Sequence, residues 1–210
     1  MDTTAPRPTP SAAVMVAFEL ALGVTAFVVG WSVGFSPWET MRWTSETLAD
    51  QLSAMAVGVL AAFPVLAVMF SAYRWPIGPL RGLRDLTSQQ LMPMFERLSV
   101  AEKAAVSLAA GLGEELLFRG LLQSSLASWI GGDVGLWIGL VVASIGFGVC
   151  HWLSRTYAVL AACIGAYFGL LLVWSGSLWT PILAHATYDF LALVILTSAD
   201  SRNREPAENV

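Results

Sequence analysis

Six apolar stretches follow one another along this chain, separated by short polar or basic segments. They are Ser11 to Phe35, Leu52 to Tyr73, Ala104 to Trp129, Val134 to Trp152, Tyr157 to Trp174 and Leu178 to Thr197. A helix rises about 1.5 Å per residue, so each is long enough to cross the roughly 30 Å hydrocarbon core of a bilayer. Ser36-Pro37 stops the first, and Pro64 is expected to kink the second. Trp38 to Gln51 reads as a polar connection, with Trp38 and Trp43 at interface depth. Between Arg74 and Lys103, Leu80, Leu83, Leu86, Leu91 and Met94 recur at roughly helical spacing, which predicts an interfacial helix near residues 77–97. Gly131-Gly132-Asp133 predicts a tight turn. The expected fold is all-α, a polytopic transmembrane helix bundle of about six spans. Residues 11–198 form its single domain, between a disordered tail at 1–10 and a polar tail at 199–210.

Composition supports this class. Of 210 residues 56% are hydrophobic and 12% charged, and nine are Trp. Cys150 and Cys163 both fall in apolar stretches, which argues against a disulfide framework, and no Cys-x-x-Cys is present. There is no basic stripe for nucleic acid. The start of the chain, with Arg7 ahead of a long apolar run, reads as a signal anchor rather than a cleaved signal peptide. With both termini cytoplasmic, Arg7, Arg74, Arg81, Arg84, Arg97, Lys103, Arg155, Arg202 and Arg204 lie inside and Arg42 outside. That asymmetry follows the positive-inside rule and favours an even number of spans.

The third apolar stretch breaks its own pattern at Gly111-Leu112-Gly113-Glu114-Glu115-Leu116-Leu117-Phe118-Arg119-Gly120. Ionisable groups at bilayer depth are costly and face inward. Glu115 and Arg119 are four apart, acid first, and form the expected structural ion pair. Glu114 lies about 100° round the helix and is left free for chemistry. The plainer alternative is an ion cluster that only ties helices together, which accounts for one carboxylate but not for the second.

Both histidines also fall in apolar stretches. His151 closes Phe147-Gly148-Val149-Cys150-His151, and His185 opens His185-Ala186-Thr187-Tyr188-Asp189, with Asp189 one turn away on the same face. Two imidazoles and two carboxyls on three helices suit the holding and deprotonation of a water. They equally suit a divalent metal such as Zn, with Glu114, His151 and His185 as ligands and Asp189 orienting His185.

Glu-Glu-x-x-x-Arg at 114–119, Phe-x-x-x-His at 147–151 and His-x-x-x-Asp at 185–189 together resemble the three motifs of the CPBP family. These are the CAAX-processing and bacteriocin-processing intramembrane proteases, related to the type II CAAX prenyl endopeptidase Rce1. The resemblance covers about residues 100–197. It implies a hydrolase, an endopeptidase acting on a membrane-associated protein or peptide. Glu114 and His151 would activate water, His185 and Asp189 would hold the oxyanion, and Glu115 with Arg119 would fix the helix. Members have been described both as metalloproteases and as metal-independent glutamyl proteases, so the resemblance leaves a divalent metal or no cofactor open. This chain has Asp189 where the family often has Asn.

Other intramembrane chemistries lack their residues. There is no Gly-x-Ser-Gly for rhomboid-type cleavage and no His-Glu-x-x-His zincin helix. Ile130-Gly131-Gly132-Asp133 departs from the Gly-x-Gly-Asp of presenilin-type enzymes. The rival from another class is a non-catalytic immunity or scaffold protein on the same fold, or a small proton-coupled transporter. The expected setting is the bilayer of a prokaryotic plasma membrane, with the site opening to the cytoplasmic side. Helical rise puts Glu114 roughly 16 Å, His151 roughly 6 Å and His185 roughly 20 Å from that face. A shared site therefore requires tilt, a shortened fourth span or a sunken turn, for which Gly146 and Gly148 offer close approach.

Overall fold

The computed structural model describes residues 9–37, 40, 47–75 and 77–204, so Trp38, Trp43 and most of the two expected tails lie outside the described residues. All regular structure among these residues is helical. The elements are α1 (Ala12–Ser32), α2 (Leu48–Arg74), α3 (Leu80–Leu86), a π-helical turn (Thr87–Leu91), α4 (Met92–Phe95), α5 (Val100–Glu115), a π-helical stretch (Leu116–Gln123), α6 (Ser124–Ile130), α7 (Gly132–Cys150), α8 (Arg155–Ser175) and α9 (Trp179–Arg204). α2 continues through Pro64 as one helix. α9 runs six residues past residue 198, into the stretch expected as tail.

Among the described residues, five helices are long and apolar enough to cross a membrane: α1, Leu52–Arg74 of α2, α7, α8 and Trp179–Ser198 of α9. Phe18, Phe63, Trp137 and Val159 on their outer faces are exposed, as lipid-facing side chains are. This is an integral membrane protein built as a helical bundle. The sixth expected span, Ala104 to Trp129, corresponds to α5, the π-helical stretch and α6, which abut without a break. Its three charges, Glu114, Glu115 and Arg119, set it apart from those five helices. α5 packs on α1 and α9, and the π-helical stretch packs on α1, α7 and α8.

Local chemistry sets the start of this central element. The Ser99 side chain accepts from the Glu102 N–H, and the Glu102 carboxylate accepts from Ser99 N and Oγ, both at 2.8 Å. This is a capping box at a surface position, and those bonds hold the Glu102 carboxyl below its ordinary range. Beyond the cap, small residues set how closely helices approach. A Cβ on Gly113 would collide with the Glu19 carbonyl of α1, and one on Gly111 would lie 2.8 Å from the Ile182 carbonyl of α9. Gly148 meets Ala158 and Ala162 of α8 in the same way. Gly146 does not: its nearest neighbours are Leu122 and Phe118 side-chain atoms, the first at 3.6 Å, an ordinary contact.

The basic segment is helical without a break from Leu80 to Phe95, within the interfacial helix expected near residues 77–97, with the π-helical turn at its centre and Leu83, Leu86 and Met92 turned inward. Arg84 stays exposed with its guanidinium 5.4 Å from the Tyr73 ring centre. Lys103, expected at the cytoplasmic surface, is buried and donates from Nζ to Thr197 Oγ1 of α9 at 2.9 Å.

Candidate active site

Glu115 and Arg119 are both wholly shielded from solvent, a state in which a charge must be paired and hydrogen-bonded. Arg119 Nη1 donates to Glu115 Oε1 at 2.9 Å, and Nη2 donates to the Gly165 carbonyl of α8 at 2.7 Å. The guanidinium also lies 4.5 Å from the Phe147 ring centre. One turn on, Gln123 Nε2 donates to the Gly169 carbonyl at 3.1 Å. Two donors one turn apart thus meet two glycine carbonyls one turn apart. Only glycine leaves the room: a Cβ on Gly165 would lie 3.0 Å from Arg119 Nη2, and one on Gly169 would lie 2.7 Å from Gln123 Oε1. The widened winding of Leu116–Gln123 accommodates this, with Ser124 Oγ donating to the Arg119 carbonyl at 2.7 Å. π-helical insertions in α-helices recur at functional sites.

Glu115 Oε1 also accepts from His185 Nδ1 at 2.9 Å, so one carboxylate joins the Arg to the histidine of α9. His185 Nε2 then faces Asp189 Oδ2 at 3.4 Å. The Phe168 ring stacks on His185 with centres 5.0 Å apart. The close approach of α5 to α9 at Gly111, one turn before Glu115, is what brings the two together.

His151 caps the C-terminus of α7. Its Nδ1 is 2.8 Å from the Phe147 carbonyl, which can only accept, so Nδ1 carries the proton. Phe147 stacks on the ring at 4.4 Å. Nε2 is thereby aimed at Glu114 Oε2, 3.7 Å away, just beyond direct hydrogen-bond reach. Glu114 is 9% exposed, and its Oε2 has no hydrogen-bond partner among the described residues. Gly148 lets α8 press against the end of α7, next to the turn where His151 stands alongside Glu114.

A cavity of about 250 Å³ adjoins these groups. Glu114, His151, His185 and Asp189 line it, together with the apolar Met69, Phe70, Leu83, Met92, Leu160 and Leu193 and with Arg84 and Thr87. The metal expectation fares differently. Among the described residues no group of three His, Cys, Asp or Glu side chains is arranged to hold a metal ion. The reason is local: Glu115 and Asp189 engage the two nitrogens of His185, which leaves Glu114 and His151 Nε2 as a pair. The donor set as arranged does not fit the metal ligation set out from the sequence.

Three participants went unread in the sequence. Glu19 of α1 lines the same cavity. Gln123 ties the π-helical stretch to Gly169 one turn from Arg119, and Phe168 stacks on His185, both from positions that look like ordinary helix residues. The signals for two of them were present: an acid in an otherwise apolar span, and Gly165-x-x-x-Gly169, a small-residue spacing for close helix contact.

Fold and site together define a polytopic helical membrane protein with a buried carboxylate–histidine centre beside a partly apolar cavity. Residues 97–191 match the family model described as type II CAAX prenyl endopeptidase Rce1-like. The chain is also 30% identical over 99 residues to the uncharacterized protein YpbD of Bacillus subtilis (strain 168). That match covers 46% of this chain and 46% of the relative, so the two correspond over about half their lengths. No solved structure matches the chain.

Proposed function

We propose that this protein is an intramembrane endopeptidase of the CAAX type, hydrolysing a peptide bond in a membrane-associated protein or peptide. The observation that carries this reading is the Glu114–His151 pair. Its buried carboxyl oxygen has no hydrogen-bond partner among the described residues and faces an imidazole nitrogen whose lone pair is free because Nδ1 is bound to Phe147. A water beside them can reach both groups, which is the geometry for removing its proton.

In this reading Glu114, with His151, takes a proton from water as the oxygen attacks the scissile carbonyl carbon. His185 Nε2–H, which faces Asp189 Oδ2 at 3.4 Å in the free site, turns its bond from Asp189 to the oxygen that becomes negative, while Glu115 holds Nδ1–H. Arg119 holds Glu115 and does not reach the cavity. The apolar lining accommodates the hydrophobic part of the substrate, and prenylated peptides are the first to test because of the matched family's description.

The test is cleavage of an S-farnesylated cysteinyl tripeptide by purified protein in proteoliposomes. Glu114→Gln is isosteric and should lower kcat by about 10²- to 10⁴-fold, the usual contribution of a general base. Full activity in that variant would remove Glu114 from the chemistry, and absence of cleavage by the wild-type protein would remove the protease reading.

A further inference from the structure

Hydrolysis of an amide requires three things of a site: removal of a proton from water, stabilisation of the oxyanion, and a proton for the departing nitrogen. The groups from the matched segment supply the first two. The third is unassigned among them, and α1, which lies outside residues 97–191, brings one more carboxyl to the same cavity.

That carboxyl is Glu19. It lines the cavity together with Glu114, His185 and Asp189, and its Oε2 is buried without a hydrogen-bond partner among the described residues. Its level in the bundle is set by backbone packing. The Glu19 carbonyl lies against Gly113, the residue before Glu114, where any side chain would collide. One turn along α1, Gly23 lies against Leu116 and the Gly113 backbone. This seam holds Glu19 at the height of Glu114. An ionisable group in a membrane span is functional by default, and among the described residues no Lys or Arg bonds to Glu19 Oε2 to give it a packing role.

We infer that Glu19 is a further catalytic residue, the general acid that protonates the leaving amine; the inference rests on the protease reading above. The proton account closes. Glu114 takes a proton from water, and the hydroxyl adds to the carbonyl carbon. Collapse of the tetrahedral species breaks the C–N bond while protonated Glu19 gives its proton to the nitrogen. Glu114 then carries the proton that Glu19 lost, and transfer through cavity water restores both. One water is consumed, and one acid and one amine are formed.

The experiment compares leaving groups in proteoliposomes. The probes are the farnesylated cysteinyl tripeptide and N-acetyl-S-farnesylcysteine 4-nitrophenyl ester, whose phenolate departs without a proton. Glu19→Gln should lower kcat on the peptide by about 10²-fold, within the range of general acid catalysis, while ester hydrolysis above the blank changes by less than about threefold. Glu19→Asp should recover part of the peptide rate. Equal loss on both probes in a folded variant would mean a positioning role, and retention of both would mean none; either overturns the inference and leaves Glu114 standing. Absence of cleavage of both probes by the wild-type protein would instead sink the protease reading and the inference together.

Discussion

At the scale of single residues, the two adjacent carboxyls have opposite surroundings. Glu115 accepts from Arg119 and His185, whereas Glu114 Oε2 accepts from nothing among the described residues. Their substitutions should therefore separate. Glu115→Gln leaves a buried guanidinium without its counter-charge and should cost about 3–5 kcal/mol, the usual effect of breaking a buried ion pair. Glu114→Gln should stay within about 1 kcal/mol of wild type, since no paired charge is lost. Unfolding by SDS titration in mixed micelles measures both. Equal destabilisation by the two would contradict the division of labour. The Glu115–Arg119 pairing was legible because i,i+4 spacing on one helix is local information. The bond from Glu115 to His185 was not, because it joins residues 70 positions apart.

At the scale of elements, close approach of helices decides the site more than their individual length. Six apolar stretches were legible, but the third takes its character from the π-helical winding of Leu116–Gln123, which no 3.6-residue periodicity reveals. Among glycines, spacing alone did not tell tight from loose. Gly146 and Gly148 read alike in sequence, yet only Gly148 meets a neighbouring backbone. Gly113→Ala should force α1 away from α5 and cost at least about 2 kcal/mol, as overpacking against rigid backbone does. Gly146→Ala meets only ordinary contacts and gains helix propensity, so it should be neutral or stabilising by up to about 1 kcal/mol. Thermal unfolding in detergent compares the two, and a tolerated Gly113→Ala would show that the seam between α1 and α5 can relax.

At the scale of the whole molecule, the cavity is lined both by the Glu114–His151 pair and by Arg84 and Thr87, in the basic segment between the second and third spans. The orientation we propose has both termini and residues 74–103 on the cytoplasmic side, from the distribution of Lys and Arg. It makes the cytoplasmic face the one from which substrate enters. In a background without Cys150 and Cys163, a single cysteine at Thr3, Ser88 or Asn209 should be blocked by a membrane-impermeant maleimide only after the membrane is opened. Labelling at Ser88 in intact cells would invert the orientation and place the cavity mouth outside.

Read alone, the sequence determined the spans and singled out Glu114, Glu115, Arg119, His151, His185 and Asp189. Apolar length and the cost of a charge in hydrocarbon are properties of consecutive residues. It did not determine that Glu115 rather than Glu114 meets His185, that His185 has both nitrogens occupied, or that α1 adds Glu19 to the cavity. Those depend on which carbonyl of one helix lies against which glycine of another. That register is settled only when the helices pack, because the distances that decide it span the bundle and not the chain.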